Sequence, residues 1–410
     1  MQKSAVFLAI MVLLLGVFLM SETRRDPLAK IDDGFADWIA ANGSLTGAPA
    51  RVALVEINDS SLGREHPWPW TPLDFALFVE AALQFKPDVV AIEPTLNWAD
   101  AKPGADALQK QQQYGKILHD SILKTPKAVL GAQLGHPDDP ELAPPLLSTP
   151  ALHHAPGDLS AIQEYTVIER QSEEDYRLSA ATGFTNVPPE GGIVRTAPMV
   201  FRYHGQLVPS LALQAVIEWL KLSPDEVTVE PGSRILLGKT LAVPINAAGR
   251  MTVNFQLPVA RTGYDDLLLA VSQTNDKQPP PTAMGTSRGG ILLLARTDKE
   301  SRNLLFPTER KGSSGELCAA AIATIQNRCF ARRASALFDC ALIAAAMAFA
   351  CYAIRLARKK LLTISLLSTV GYLMVAISAY SVSLVLLPIV LPVALLALVN
   401  FFNLLQPRGK

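Results

Sequence analysis

Two long apolar stretches bracket a middle in which hydrophobic positions come as short runs and helical stripes. Ala5 to Met20 is unbroken apolar sequence, preceded by Lys3 and closed by Ser21, Glu22 and Arg24. Such a run is either a signal peptide or an uncleaved anchor, and its ending in Phe18, Leu19 and Met20 offers no small-x-small cleavage site. The anchor is favoured, and in both cases the residues after it are exported. Beyond Arg332 and Arg333 the chain turns apolar again, interrupted by a basic knot of Arg355, Arg358, Lys359 and Lys360. Ser335 to Ile354, Leu361 to Tyr380 and Leu384 to Leu405 each approach the roughly 20 residues needed to cross about 30 Å of hydrocarbon. Pro388 and Pro392 lie inside the last of them and predict a kink.

Lysines and arginines in short loops set orientation. The basic knot, Lys3, Arg408 and Lys410 all mark the cytoplasmic side, so the reading is one transmembrane helix at 1–20, an exported domain at 21–334, three helices within 335–405 and a tail at 406–410, with both termini inside. Arg24, Arg25, Arg332 and Arg333 oppose this locally, but a long domain translocates largely regardless of its charge. Asp339, near the outer end of its span, reads as an interfacial anchor or as a buried relay carboxylate.

The middle alternates β-rich runs with amphipathic helices, which predicts an α/β domain with a mainly parallel sheet, flanking helices and an added hairpin. Arg51 to Ile57 is a buried-strand candidate. Thr71 to Phe85 has helical periodicity with Thr71 as N-cap, Pro72 at the first position and Asp74 closing a capping box. Asp88 to Ile92 is the next strand, and Ala105 to Leu123 followed by Ala128 to Leu134 gives a further helix and strand. Ser210 to Leu222 is a helix capped by Ser210, Thr240 to Phe255 a hairpin turning at Asn246 to Gly249, Ile291 to Leu294 a buried strand and Gly315 to Gln326 a helix. The segments 135–160 and 272–290, rich in proline and polar residues, are surface excursions.

Mean hydropathy is +0.23 with 18% charged residues, apolar content beyond what one soluble core needs. The formal net charge of zero removes the basic surface of a nucleic-acid binder. Cys318, Cys329, Cys340 and Cys351 recur every eleven residues. On one continuous helix they would share a face about 16 Å apart, too far for disulfides, and they read as small packing residues.

A parallel α/β sheet places ligands at the carboxyl ends of its strands. Glu56 and Asp59 end the first strand and Glu93 the second, so three carboxylates are candidates there, for capping turns, for holding a ligand or cation, or for acid/base work. Trp68 and Trp70, stiffened by neighbouring prolines, are a stacking platform or core packing. Arg195 follows two glycines and meets an anionic ligand or one of those carboxylates. His153 and His154 fall in a proline-rich loop and read as solvated. No nucleophile motif, metal-binding motif or phosphate loop accompanies these residues, so no enzymatic activity and no cofactor is expected.

Val55 to Leu62 (VEINDSSL), Trp68-Pro69-Trp70, Asp88 to Glu93 (DVVAIE), Gly183 to Asn186 (GFTN), Gly191 to Arg195 (GGIVR), Val208 to Ala212 (VPSLA), Pro244 to Asn254 and Gly315 to Thr324 follow one another along the chain. In this order they resemble the type-two CHASE domain family, the extracytoplasmic sensory modules of bacterial cyclases and kinases. The chain departs from the family at Glu93, where aspartate is usual, at Cys318, where histidine is common, and at Ala295 to Thr297, where a glycine-bearing turn is usual. In the family the last span leads to a cytoplasmic catalytic domain; here only Gln406 to Lys410 remain, so no output domain is expected. The resemblance implies a sensor in the bacterial inner membrane whose partners are the lipid bilayer, a small ligand or periplasmic protein, and a separate cytoplasmic or membrane signalling protein, with a homodimer left open. A non-signalling structural or assembly component of an envelope complex is the alternative.

Overall fold

The computed structural model describes residues 2–22, 29–42, 49–63, 68–98, 105–135, 151–187, 192–275, 287–308 and 310–405. Arg24, Arg25, Arg408, Lys410 and the proline run at 279–281 lie outside them, as does most of the excursion at 135–160. The chain forms two compact units, residues 46–330 and residues 1–45 with 331–410. Helices α1 (Gln2–Glu22) and α2 (Ala29–Asn42) precede the larger unit.

The larger unit is built on a parallel sheet. Its strands are β1 (Val52–Ile57), β2 (Val89–Ile92), β3 (Ala128–Gly135), β4 (Val167–Arg170), β5 (Ala181–Phe184), β6 (Ala260–Gly263) and β7 (Ile291–Arg296), in the spatial order β6-β1-β7-β2-β3-β5. All of these neighbours run parallel, and β4 joins β3 antiparallel at one end. Strand pleating sends alternate residues to opposite faces. Val52 and Leu54 of β1 therefore join one hydrophobic cluster while Ala53, Val55 and Ile57 join another. The first cluster packs under α6 (Leu211–Trp219) and α8 (Ser314–Asn327); the second packs under α3 (Pro72–Gln84), α4 (Ala105–Leu123) and α7 (Tyr264–Asn275), with α5 (Glu174–Arg177) at its margin. The helices thus lie in two layers around the sheet.

The helix signals read from sequence hold. Thr71 caps α3, where the Asp74 carboxylate accepts the Thr71 N–H at 2.8 Å, and Ser210 caps α6 by accepting the Leu213 N–H at 3.3 Å. Two expectations do not. The predicted hairpin turns as expected, with Asn246 N–H donating to the Arg250 carbonyl at 2.9 Å, but its arms part: Leu241–Pro244 pairs with Arg234–Leu237, and Arg250–Thr252 pairs with Thr196–Pro198. The four cysteines are free, as expected, although they do not share one helix. Cys318 is in α8, Cys329 lies beyond its end at Asn327, and Cys340 and Cys351 belong to α9 (Ala336–Ala353), because Arg328 takes a left-handed φ of 54° that stops α8. The last apolar stretch differs too. Val385–Leu386 is a short strand and α11 (Val390–Leu405) begins only after it, beyond α10 (Arg358–Ser383). Pro388 therefore precedes α11 and Pro392 sits in its first turn, where a missing N–H costs nothing and no kink results.

In the smaller unit, α9 and α10 are long and apolar enough to cross a membrane, while Val6–Ser21 and Val390–Leu405 are apolar but shorter. Gly16 lets α1 approach α9, since a Cβ there would lie 2.8 Å from the Ile343 side chain. Outward-facing Phe7, Leu14, Phe18, Leu366, Leu367, Met374 and Phe401 give these helices an exposed apolar surface.

Packing in the larger unit is tight where α6 crosses β5. A Cβ on Gly183 would stand 2.5 Å from the Leu211 Cα and 3.0 Å from its N, both backbone atoms that cannot swing aside. Gly183→Ala is expected to cost about 2 kcal/mol by overpacking, read as a lower melting temperature of the full chain in detergent. An unchanged melting temperature would show that α6 can retreat freely.

Candidate functional site

The carboxyl ends of β6, β1, β7 and β2 lie side by side, and the N-terminus of α8 is pressed against them. Gly315 makes that approach feasible, because any Cβ there would collide with the Cβ of Ala295 in β7. Ser313-x-x-Glu316 forms a capping box: the Ser313 hydroxyl accepts the Glu316 N–H at 3.3 Å, and Glu316 Oε2 accepts the Ser313 N–H at 2.9 Å. The other oxygen, Oε1, accepts from two arginines, Arg261 of β6 and, at 2.7 Å, Arg310. Arg261 Nη1 also donates to Glu56 Oε1 at 3.2 Å. Glu316 is only 2% exposed, so this buried charge is held by two guanidiniums and a backbone amide.

Beside this knot, Glu93 ends β2. Its Oε1 accepts the Ser314 hydroxyl and its Oε2 accepts the Arg296 N–H at 3.2 Å. Although the residue keeps some exposed surface, protein atoms surround its carboxyl group, and burial raises its pKa above the usual carboxylate range against those two hydrogen bonds. Arg296 forks onto Asp298 at 2.9 and 2.8 Å and lies 4.4 Å from the ring centre of Trp68. Burial opposes ionisation of Asp298, but the bonds from Arg296 outweigh it, so its pKa is lowered. Asp59 accepts the Lys299 N–H at 3.3 Å.

Of the six residues singled out from sequence, Glu56, Asp59, Trp68 and Glu93 fall in or beside this edge. Glu56 and Glu93 are built into its hydrogen-bond network, Asp59 ties down the adjoining turn, and Trp68 stacks on Arg296. Trp70 is a core residue, 1% exposed, with its ring 4.4 Å from that of Tyr264 and 5.7 Å from that of Phe75. Arg195 precedes the strand Thr196–Pro198, and its carbonyl accepts the Val253 N–H at 3.0 Å; the guanidinium on Glu56 is that of Arg261. Sequence reasoning missed Arg261, Arg296, Asp298, Ser314 and Glu316. The Ser313-x-x-Glu316 spacing was a readable signal, whereas the arginines stand 205 and 203 residues from the carboxylates they meet.

The arrangement leaves little space. Between Glu93, Phe184, Asn186, Ser314 and Cys318 a cavity of about 30 Å³ remains, enough for about one water. Burial and the neighbouring Glu93 raise the Cys318 thiol pKa, which keeps it protonated and a poor nucleophile. His153 and His154 are exposed, and among the described residues no group of three or more His, Cys, Asp or Glu side chains is placed to hold a metal ion.

Burial of the Glu93 carboxyl has a pH consequence. A raised folded-state pKa means the folded chain keeps a proton that the unfolded chain releases. That contribution is complete below the unfolded pKa and is lost as pH rises through the folded one. Glu93→Gln, which keeps an oxygen for the Arg296 amide, is expected to match the parent near pH 4 and to exceed it increasingly toward about pH 8. Thermal unfolding across that range checks this; a pH-independent difference would contradict it.

The CHASE2 domain family model matches residues 7–354, from α1 through the sheet to the end of α9. Neither the curated proteins nor the solved structures contain a match. The matched region includes the edge formed by Glu56, Glu93 and Glu316, and family membership points to an extracytoplasmic sensory domain. With a family model spanning most of its length, the chain belongs to the CHASE2 domain family.

Proposed function

We propose that the chain is a membrane-anchored sensor whose exported domain responds to a small ligand or periplasmic protein and relays that response through four membrane helices to a separate cytoplasmic partner. The observation that carries this reading is where the two connections to the larger unit are tied. The chain leaves the smaller unit after α2 and re-enters it at Ala331. Both entry points hold the same turn between α10 and α11. Asp32 of α2 accepts the N–H groups of Ile389 and Val390 at 2.9 and 3.0 Å, capping α11 from outside its own segment. Arg332 and Ala334 donate to the carbonyls of Leu384 and Leu386, each at 2.9 Å. Asp33 pairs with Arg333, joining the two connections directly. A displacement of either connection is therefore felt at the start of α11.

Topology rests on the charge pattern. The exposed Arg355, just after α9, and the exposed Arg358, Lys359 and Lys360, in the first turn of α10, stay in the cytoplasm, which leaves 46–330 outside and both termini inside. In a cysteine-free background, Lys239→Cys is expected to react with a membrane-impermeant maleimide in intact spheroplasts, and Lys359→Cys only after permeabilisation. The reverse pattern would overturn the exported-sensor reading.

Relay requires two arrangements with different ligand affinities. Hydrogen exchange at Ile389 and Val390, in chain reconstituted in bilayers, is expected to change on adding an active periplasmic fraction, and Asp32→Ala is expected to remove that response. Exchange that stays constant across all fractions would favour a non-signalling structural component.

A further inference from the structure

The carboxyl edge of the sheet is filled by its own side chains, so a ligand of the proposed sensor needs another opening. One lies farther along the chain from β2. Between α3, α4 and α5 runs a cleft of about 450 Å³, within the range of small-molecule sites. Its aromatic wall is Trp98, whose ring packs edge-on against Phe75 and Tyr176 and whose Nε1–H donates to the Trp70 carbonyl at 2.7 Å. That bond and the packing fix the ring before any ligand arrives. Gly115 opens the floor: a Cβ there would stand 3.1 Å from the Tyr176 hydroxyl, and none is present.

Around this wall, α4 contributes Gln112, Lys116 and Asp120 from one helical stripe, and the segment at α5 contributes Glu173 and Asp175. Glu173 is already oriented, accepting the Trp98 N–H at 3.0 Å. Asp120, Glu173 and Asp175 against Lys116 leave the cleft net negative even with His119 of the lining counted as a cation, and a negative cleft with an aromatic wall selects cations. A metal ion does not fit, because no three acidic or histidine groups among the described residues gather around one point. The occupant must instead be extended, with cationic groups at its ends and a methylene chain to lie on the ring. We infer that the cleft beside Trp98 binds a linear organic polyamine, making this a ligand class for the sensor proposed above, on which this inference rests.

Isothermal titration of spermidine into the full chain in uncharged detergent tests this directly, since binding is read independently of any relay. Saturable one-to-one binding is expected, weakened about tenfold or more by Asp120→Asn with Asp175→Asn, in line with about 1.4 kcal/mol for each factor of ten. Both substituted positions are exposed, so the double variant is expected to keep the parent's melting temperature. Glucose, with a similar hydrogen-bonding capacity and no charge, is expected not to bind. No spermidine heat, equal affinity in the double variant, or glucose binding in its place would each overturn the inference. If spermidine binds while exchange at Ile389 and Val390 stays constant, the cleft stands and the relay fails; the converse leaves the relay standing with another ligand.

Discussion

The buried carboxylate of Glu316 is the constraint on which the arrangement of the domain's functional edge depends. An ion taken out of water costs several kcal/mol unless charge and hydrogen bonds replace its hydration. Here the replacement comes from three places: Arg261 at the end of β6, far away in sequence, Arg310 just before α8, and the Ser313 amide that Glu316 caps. Satisfying one carboxylate therefore fixes the start of α8 against the edge strands. Glu56, tied to the same Arg261, extends the constraint to β1. Gly315 has no alternative under this geometry, because the helix start and Ala295 occupy the space a side chain would need. The usual ligand crevice of an open parallel sheet is consequently spent on holding the fold together.

What could be read from sequence tracked the range of the forces involved. Capping and short apolar runs act over a few residues, and Thr71 with Asp74, Ser210, and the buried strand at Arg51 to Ile57 were legible because each signal is complete within its own segment. The order of strands was not. Ile291–Arg296 pairs with both Val52–Ile57 and Val89–Ile92, separating two strands that are consecutive in the chain. Nothing in the apolar run ILLL says where it inserts. The same limit hid Arg261, whose meeting with Glu56 depended on β6 lying beside β1, a contact between residues 205 apart. The eleven-residue cysteine spacing places the four on one face only while one helix continues, and Arg328 ends α8, yet the expectation of free cysteines holds.

The smaller unit obeys another balance. Its described helices expose apolar side chains, and in the bilayer of the proposed topology these would gain nothing from one another by hydrophobic burial, so that close contacts through small residues such as Gly16 would matter more. Polar groups lie at both ends, with Arg355, Arg358, Lys359 and Lys360 exposed at one and a mainly acidic set at the other. Asp32, Asp33, Arg333 and Asp339 surround the turn at 386–388, where an unpaired backbone N–H would be costly near hydrocarbon. Asp32 meets two such groups at once, so its position cannot shift without exposing the start of α11.

These two balances bear on how a sensor built this way could respond. The edge network of Glu316, Glu56 and Arg261 is cooperative and mutually satisfied, which makes it stiff; small energies do not rearrange it. The cleft at Trp98 differs, because the side chains of Gln112, Lys116, Asp120 and Asp175 have no hydrogen-bonded partner among the described residues and lose none on meeting a ligand. A stiff sheet edge on one side and an uncommitted cleft on the other mean that occupancy would move α4 and α5 relative to a fixed core rather than deform the core itself. For that motion to reach the membrane it must bias the tethers at α2 or Arg332, and the energy needed there is small, on the order of the 1 kcal/mol that one helix cap contributes. A weakly held cap between two connections is the kind of element that a modest ligand affinity can tip.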